Sequence, residues 1–179
     1  MLKKIKSILF KNQSDVQQEN VNEVKKNKNV EDNVFIIPIS GEVISLDRVP
    51  DEVFAQKMMG DGFAIDPENG EVFSPVNGEI TAVFPTKHAI SIKSNSGVEI
   101  LIHFGLDTVN LKGEGFDVYV EAGNSVKAGD MLLKVNIEKI KNKVPSLIVP
   151  IIFTELNGKS FNYNSGKVTA KETNVVTVK

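Results

Sequence analysis

Gly, Asn, Asp and Pro gather in clusters about every 8 to 12 residues along most of this chain, as ISGE, GDG, DPENG, SPVNG, SNSG, KGEG, EAGNSVKAGD and ELNGK. Each cluster supplies residues that take a positive φ or start a turn, and only short apolar or alternating runs fit between them. Helices of ordinary length, about 11 to 12 residues, do not fit such spacing. The rhythm predicts many short strands: Phe35–Ile39, Glu42–Leu46, Gly62–Asp66, Gly70–Ser74, Glu79–Phe84, Ala89–Ser94, Val98–Phe104, Met131–Val135 and Val149–Phe153, with GKVTAKETNVVTVK as a last hairpin. Helical spacing is confined to Asp51–Lys57, behind Pro50, and Ile137–Lys143. The fold class is therefore all-β, an antiparallel sandwich or barrel-like arrangement with a few short helical turns, closed enough to hide its edges.

The 179 residues, 41% of them hydrophobic, suit one domain with a core and leave length over for a tail. That tail is visible at the start. LKKIKSILFK places Leu2, Ile5, Ile8 and Leu9 at helical spacing among lysines, so residues 1–11 read as a short basic amphipathic segment fit for an anionic membrane surface. Its uninterrupted apolar run, Ile8–Phe10, is too short for the core of a signal peptide, which disfavours export. Residues 12–33 are Asn, Gln, Lys and Glu with scattered valines, a disordered polar linker. The folded domain is expected over 34–179. No apolar run approaches the roughly 20 residues of a membrane-spanning helix, and a formal net charge of -2 gives no general attraction for nucleic acid. The absence of cysteine excludes disulfides, thiol catalysis and thiolate metal sites.

The chain has two histidines, His88 and His103, and both fall in one predicted hairpin around SNSG. A two-residue turn at Asn95 and Ser96 sets them directly opposite; a three-residue loop with Gly97 left-handed sets them diagonal. Either register leaves them neighbours. A neutral imidazole is a nucleophile, a proton shuttle or a metal ligand near pH 7, and a desolvated pair keeps itself neutral. Thr86, two residues before His88, falls on the same face of an extended strand and can fix the ring, while Asp107 lies just past the second strand for a charge role.

The segment GVEILIHFGLDTVNLKGEGF resembles the phosphorylation-site signature of the glucose-family enzyme IIA component of the bacterial phosphoenolpyruvate-dependent sugar phosphotransferase system. SGEVISLDRVPDEVFAQKMMGDGFAI, SPVNGEI, TKHAISIKSNSGVEI and GNSVKAGD are similar to further segments of that family. The resemblance implies that His103 receives a phosphoryl group on Nε2 from the carrier protein HPr and passes it to a IIB domain of a glucose-family permease. His88 is then its catalytic neighbour, Thr86 orients His88, and Asp107 is the acidic residue beside them. Phe54, Phe84, Val109 and Phe104 become partner-facing positions. No cofactor is required by this chemistry. In some members a zinc ion is shared between the two histidines and a carboxylate of a regulated partner, which extends the implied site to zinc on His88 and His103. The family also implies a cytoplasmic monomer, peripheral at the inner face of the membrane where its tail binds, with regulated permeases or metabolic enzymes as further partners. Lys93 and Ala82 stand where the regulatory enterobacterial member has an acidic and a basic residue, so its partner list does not carry over directly.

Three other readings compete. A zinc hydrolase needs three protein ligands, and beside two histidines the third has to be a carboxylate, Asp107 being nearest. A non-transferring regulatory binding module keeps the hollow without the chemistry. VEAGNSVKAGD resembles a turn of biotinyl and lipoyl carrier domains, but no modifiable lysine sits in the matching hairpin, so this is shared turn chemistry.

Overall fold

The computed structural model describes residues 34–179; the basic start at 1–11 and the linker at 12–33 lie outside the described residues. In chain order the strands are β1 (Gly41–Ser45), β2 (Asp61–Pro67), β3 (Glu71–Phe73), β4 (Gly78–Val83), β5 (Ala89–Ser94), β6 (Glu99–His103), β7 (Phe116–Val118), β8 (Ser125–Val126), β9 (Met131–Val135), β10 (Val149–Glu155), β11 (Phe161–Tyr163), β12 (Gly166–Val168) and β13 (Val176–Val178). Two four-residue helices, α1 (Glu52–Ala55) and α2 (Ile137–Ile140), and two 3₁₀ turns, Leu46–Arg48 and Thr108–Leu111, complete the described elements. Neither helix is long and apolar enough to cross a membrane.

Eight strands form one antiparallel sheet in the order β12, β1, β2, β10, β6, β5, β4, β8. A three-stranded sheet, β3, β9, β7, and the pair β11, β13 complete the antiparallel β-sandwich. The large sheet ends in strands of three and two residues, β12 and β8. Edges that short offer little backbone for another chain to pair with.

Period-two alternation gives the large sheet two buried faces of unequal size. Ile100 and Ile102 of β6, with Ile90 and Ile92 of β5, enter the main core beside Phe63, Ile65, Leu133 and Val135. Leu101 and Ala89 point the other way, into a smaller cluster with Ile44, Ala64 and Ile152, covered by Leu46, Val49 and Phe54. The 3₁₀ turn and α1 thus form a lid over one end of this second face, and His103 closes β6 there.

Three sequence expectations change. Phe35–Ile39 is buried but makes no strand, only a bridge from Ile36 to Thr173. Its backbone bonds go to separate partners, Ile36 N–H to the Pro75 carbonyl and Ile37 N–H to that of Glu172, and Pro38 has no N–H to extend a ladder. The C-terminal GKVTAKETNVVTVK is not a hairpin: β12 pairs with β1, and β13 pairs with β11. Each edge bonds to a strand already docked on the core rather than to its sequence neighbour. The strands β7, β8 and β11 carry too few alternating residues for the sequence pattern to have marked them.

Candidate active site

The β5–β6 hairpin takes the three-residue loop. Gly97 has φ 86° and its N–H donates to the Ser94 carbonyl (2.9 Å), so Ala89 pairs with His103 and Ile90 with Ile102. In this register His88 stands opposite Phe104, whose N–H donates to the His88 carbonyl (2.8 Å). Strict alternation would then aim His88 away from His103, because a one-residue offset exchanges the faces of a sheet. The chain escapes that consequence by bending before β5 begins, with Lys87 at φ 61°. Freed from the pleat, the His88 ring meets the His103 ring with centroids 4.7 Å apart and planes at 80°. A register shift between Ile80 and Ala82 of β4 sets Phe84 opposite Ala89, its N–H donating to the Ala89 carbonyl (3.0 Å), which brings Phe84 to the same side. The result is a row of four rings: Phe54 lies 5.1 Å from His103, and Phe84 lies 5.7 Å from His88.

Each imidazole is held through Nδ1. The His103 Nδ1 lies 2.8 Å from the Gly105 carbonyl oxygen. A carbonyl only accepts, so that nitrogen carries the proton, and the lone pair of the neutral ring is on Nε2. Gly105 has φ 73°, and a Cβ there would stand 2.7 Å from Thr108 Cγ2 and 3.1 Å from the Ser146 carbonyl. Only glycine offers its carbonyl in this position without a clash. The turn is pinned further by Thr108, which is buried and donates to the Phe104 carbonyl (2.8 Å). Thr86 Oγ1 lies 2.6 Å from His88 Nδ1. It reaches the ring from the turn between β4 and β5, closed by Lys87 N–H to the Phe84 carbonyl (2.7 Å), and not from an extended strand. Among the described residues neither Nε2 has a hydrogen bond, and no buried side-chain nitrogen or oxygen lacks a partner. Both Nε2 atoms therefore open to solvent.

Burial lowers the pKa of His88. His103 falls further, to about 4, chiefly through burial and then through the neighbouring His88, while the Gly105 hydrogen bond and the Asp51 carboxylate oppose the shift. Both rings are neutral at pH 7.

The remaining expected site residues separate. Phe84 (38% exposed) and Val109 (49%) are open to solvent; Phe54 is nearly covered. Phe104 is not at the surface. It is fully buried in the main core, its ring 6.1 Å from that of Phe116, because it follows His103 by one residue and alternation sends it to the opposite face. Asp107 is exposed at the left-handed start of a 3₁₀ turn and makes no side-chain cap bond. The carboxylate that His103 senses is Asp51, the N-cap of α1, which accepts from Val53 N–H (2.9 Å) and Phe54 N–H (3.3 Å). Its signal in the sequence was an Asp directly after Pro50 at a helix start. Zinc fits the pair in part: two imidazoles with ordered Nδ1 partners suit the ion, yet no group of three or more His, Cys, Asp or Glu side chains among the described residues could hold a metal. A hydrolytic zinc centre lacks its third ligand.

A model of the family described as phosphoenolpyruvate-dependent sugar phosphotransferase system, EIIA 1, matches residues 23–159. A glucose-specific EIIA component of that system from Staphylococcus aureus (strain COL) is 48% identical over 156 residues, covering 86% of this chain and 94% of its own. One from Halalkalibacterium halodurans is 46% identical over 151 residues, covering 83% and 87%. Among solved structures, the glucose permease IIA from Mycoplasma capricolum matches with a TM-score of 0.77 and 44% identity, covering 80% of this chain and 94% of its own.

Proposed function

The chain belongs to the phosphoenolpyruvate-dependent sugar phosphotransferase system, EIIA 1 family, as a phosphoryl carrier of that system, and on that premise we propose that His103 Nε2 is the atom that carries the phosphoryl group. The observation that supports this most directly is the 2.8 Å contact between His103 Nδ1 and the Gly105 carbonyl, which leaves the lone pair on Nε2. The lone pair attacks phosphorus on a phosphohistidine of HPr. The bond from phosphorus to the donor nitrogen breaks and its electron pair stays with the donor imidazole. His103 Nδ1 keeps its proton throughout, so the acceptor needs no base. Onward transfer to a IIB domain runs the same exchange in reverse at His103.

His88 stabilises the moving charge. With the Thr86 hydroxyl donating to Nδ1, the His88 proton resides on Nε2, beside the position a phosphoryl oxygen on His103 would take. Phe54 and Phe84 flank the two imidazoles, and with exposed Val109 they offer apolar surface to partners that must leave again; such transient contacts are modest in area. We place the protein in the cytoplasm with those partners. Zinc on His88 and His103, with a carboxylate from another protein completing the set, is a binding mode of the same hollow and not part of the transfer.

Phosphoenolpyruvate, enzyme I and HPr, incubated with the purified protein, test the assignment. Acid-labile phosphate on wild type and none on His103→Ala is the expected result. Normal labelling of His103→Ala refutes the acceptor assignment. An unlabelled wild type that binds stoichiometric zinc favours the non-transferring module.

A further inference from the structure

A cavity of about 430 Å³ opens where three separate segments meet: the end of β1 with the 3₁₀ turn that follows it, the chain between α1 and β2, and β11. Its size falls within the roughly 300–1,000 Å³ of small-molecule sites. Neither histidine lines it, nor does any ring packed on them. One wall is aromatic. Phe161 and Tyr163, alternate residues of β11, hold their rings nearly parallel, at 12° with centroids 6.3 Å apart. Each packs on the core, against Phe153 (4.4 Å) and Phe63 (5.4 Å) respectively, yet stays half-buried, so part of its surface is left to the cavity. The other walls are polar. The Lys57 ammonium lies 2.7 Å from Asp61 Oδ1, which also accepts from Gly62 N–H (2.8 Å), and Asp47 accepts from the Ser45 hydroxyl through Oδ1. Asp61, followed by Tyr163 and Asp47, raises the pKa of Lys57, so these groups stand near one another. Hydrogen-bonding capacity is left over. Among the described residues the second oxygen of both carboxylates, the Asn162 amide and the Tyr163 hydroxyl carry no hydrogen bond.

We propose that this cavity binds a neutral, polyhydroxylated ring of monosaccharide size. The lining mixes acceptors, the free carboxylate oxygens, with donors, the ammonium and the amide, and a hydroxyl both donates and accepts, so one ligand of this class satisfies both kinds. Lys57 need not leave Asp61, because an ammonium has three donors and that pair uses one. Two carboxylates against one ammonium leave an excess of negative charge, which turns anionic ligands away. The ammonium in the same space turns away cations. The parallel rings of Phe161 and Tyr163 supply the apolar wall on which the C–H side of such a ligand packs while its hydroxyls meet the polar groups. Asp47 and Lys57 stand on either side of α1 in the chain, so the ligand touches both flanks of the lid and not the histidines. The inference goes beyond the phosphoryl-carrier reading and does not depend on it.

Backbone amide spectra of the full chain, titrated with D-glucose, D-galactose, D-mannose and myo-inositol, test the assignment. The expected result is a set of saturable shifts at Gly62, Asn162 and Tyr163 with at least one of these probes, half-saturated on the order of 1 mM. The midpoint should be the same at roughly 50 and 500 mM salt, because the ligand is uncharged. Asn162→Ala and Asp47→Asn, both at exposed positions, should each weaken that binding about fivefold while the spectrum away from the cavity stays unchanged. No saturable shift with any of the probes overturns the proposal. So does binding that neither variant weakens, or shifts that fall outside the cavity. Tighter binding of glucosamine than of the neutral probes overturns it in favour of a cation site, and tighter binding of glucose 6-phosphate in favour of an anion site. Phosphoryl transfer takes no part in the readout, so failure here leaves the carrier reading standing.

Discussion

Lowering the pH should destabilise this protein through His103, beginning above the range in which ordinary carboxylates are protonated. The ring titrates near 6.5 in the unfolded chain and at about 4 in the fold. Between those values the unfolded state holds a proton that the folded state refuses, so stability falls as pH drops from about 6.5 towards 4, and this group contributes no slope above that window. At roughly 1.4 kcal/mol per tenfold step in proton affinity, the full loss is about 3 kcal/mol. His88 adds to it in the same direction. Urea unfolding of wild type and His103→Gln at pH steps from 7.5 to 4 measures it: wild type should lose about 3 kcal/mol more than the variant across the window. Carbon-proton correlation spectra of the two imidazoles give the folded-state midpoints independently. A His103 midpoint at or above 6, or parallel stability curves for the two proteins, would show that the ring is not desolvated as the geometry requires.

Removing the imidazole at position 88 while keeping a donor, His88→Gln, should impair onward transfer to a IIB domain more than acceptance from phospho-HPr; single-turnover assays in both directions check it, and equal losses contradict the division of roles. Thr86→Val removes one hydrogen bond worth about 1 kcal/mol, so the transfer rate should fall about fivefold while the melting temperature drops by only a few degrees. Gly97→Ala puts a Cβ on left-handed backbone and against the Asn157 side-chain amide, which should cost roughly 1–2 kcal/mol in denaturant unfolding, and Gly97→Asn less.

Much of the site was legible because its cues are local. The tight-turn residues at Asn95–Gly97 announced the hairpin, the HFG triplet carried an imidazole with the glycine that offers it a carbonyl, and Thr86 stood two residues from the ring it holds. Asp51, which acts on His103 beside the expected Asp107, was missed because nothing local to the hairpin points to it. The lid that brings Asp51 over β6 belongs to a segment some fifty positions away.

The amino-acid sequence by itself determined the strand rhythm, the pairing of both histidines in one hairpin and the family signature, since turn preference and period-two alternation need no knowledge of distant residues. Tertiary structure decided the register at Gly97, the bend at Lys87 that turned His88 back to its partner, the burial of Phe104, and the separate partners of β12 and β13. It alone gathered Asp47, Lys57, Asn162 and Tyr163 around one cavity. The physical reason is common to all of these. A strand's faces are fixed locally, but which neighbour it bonds and which side water leaves are settled only when segments far apart in the chain compete to bury the same apolar surface.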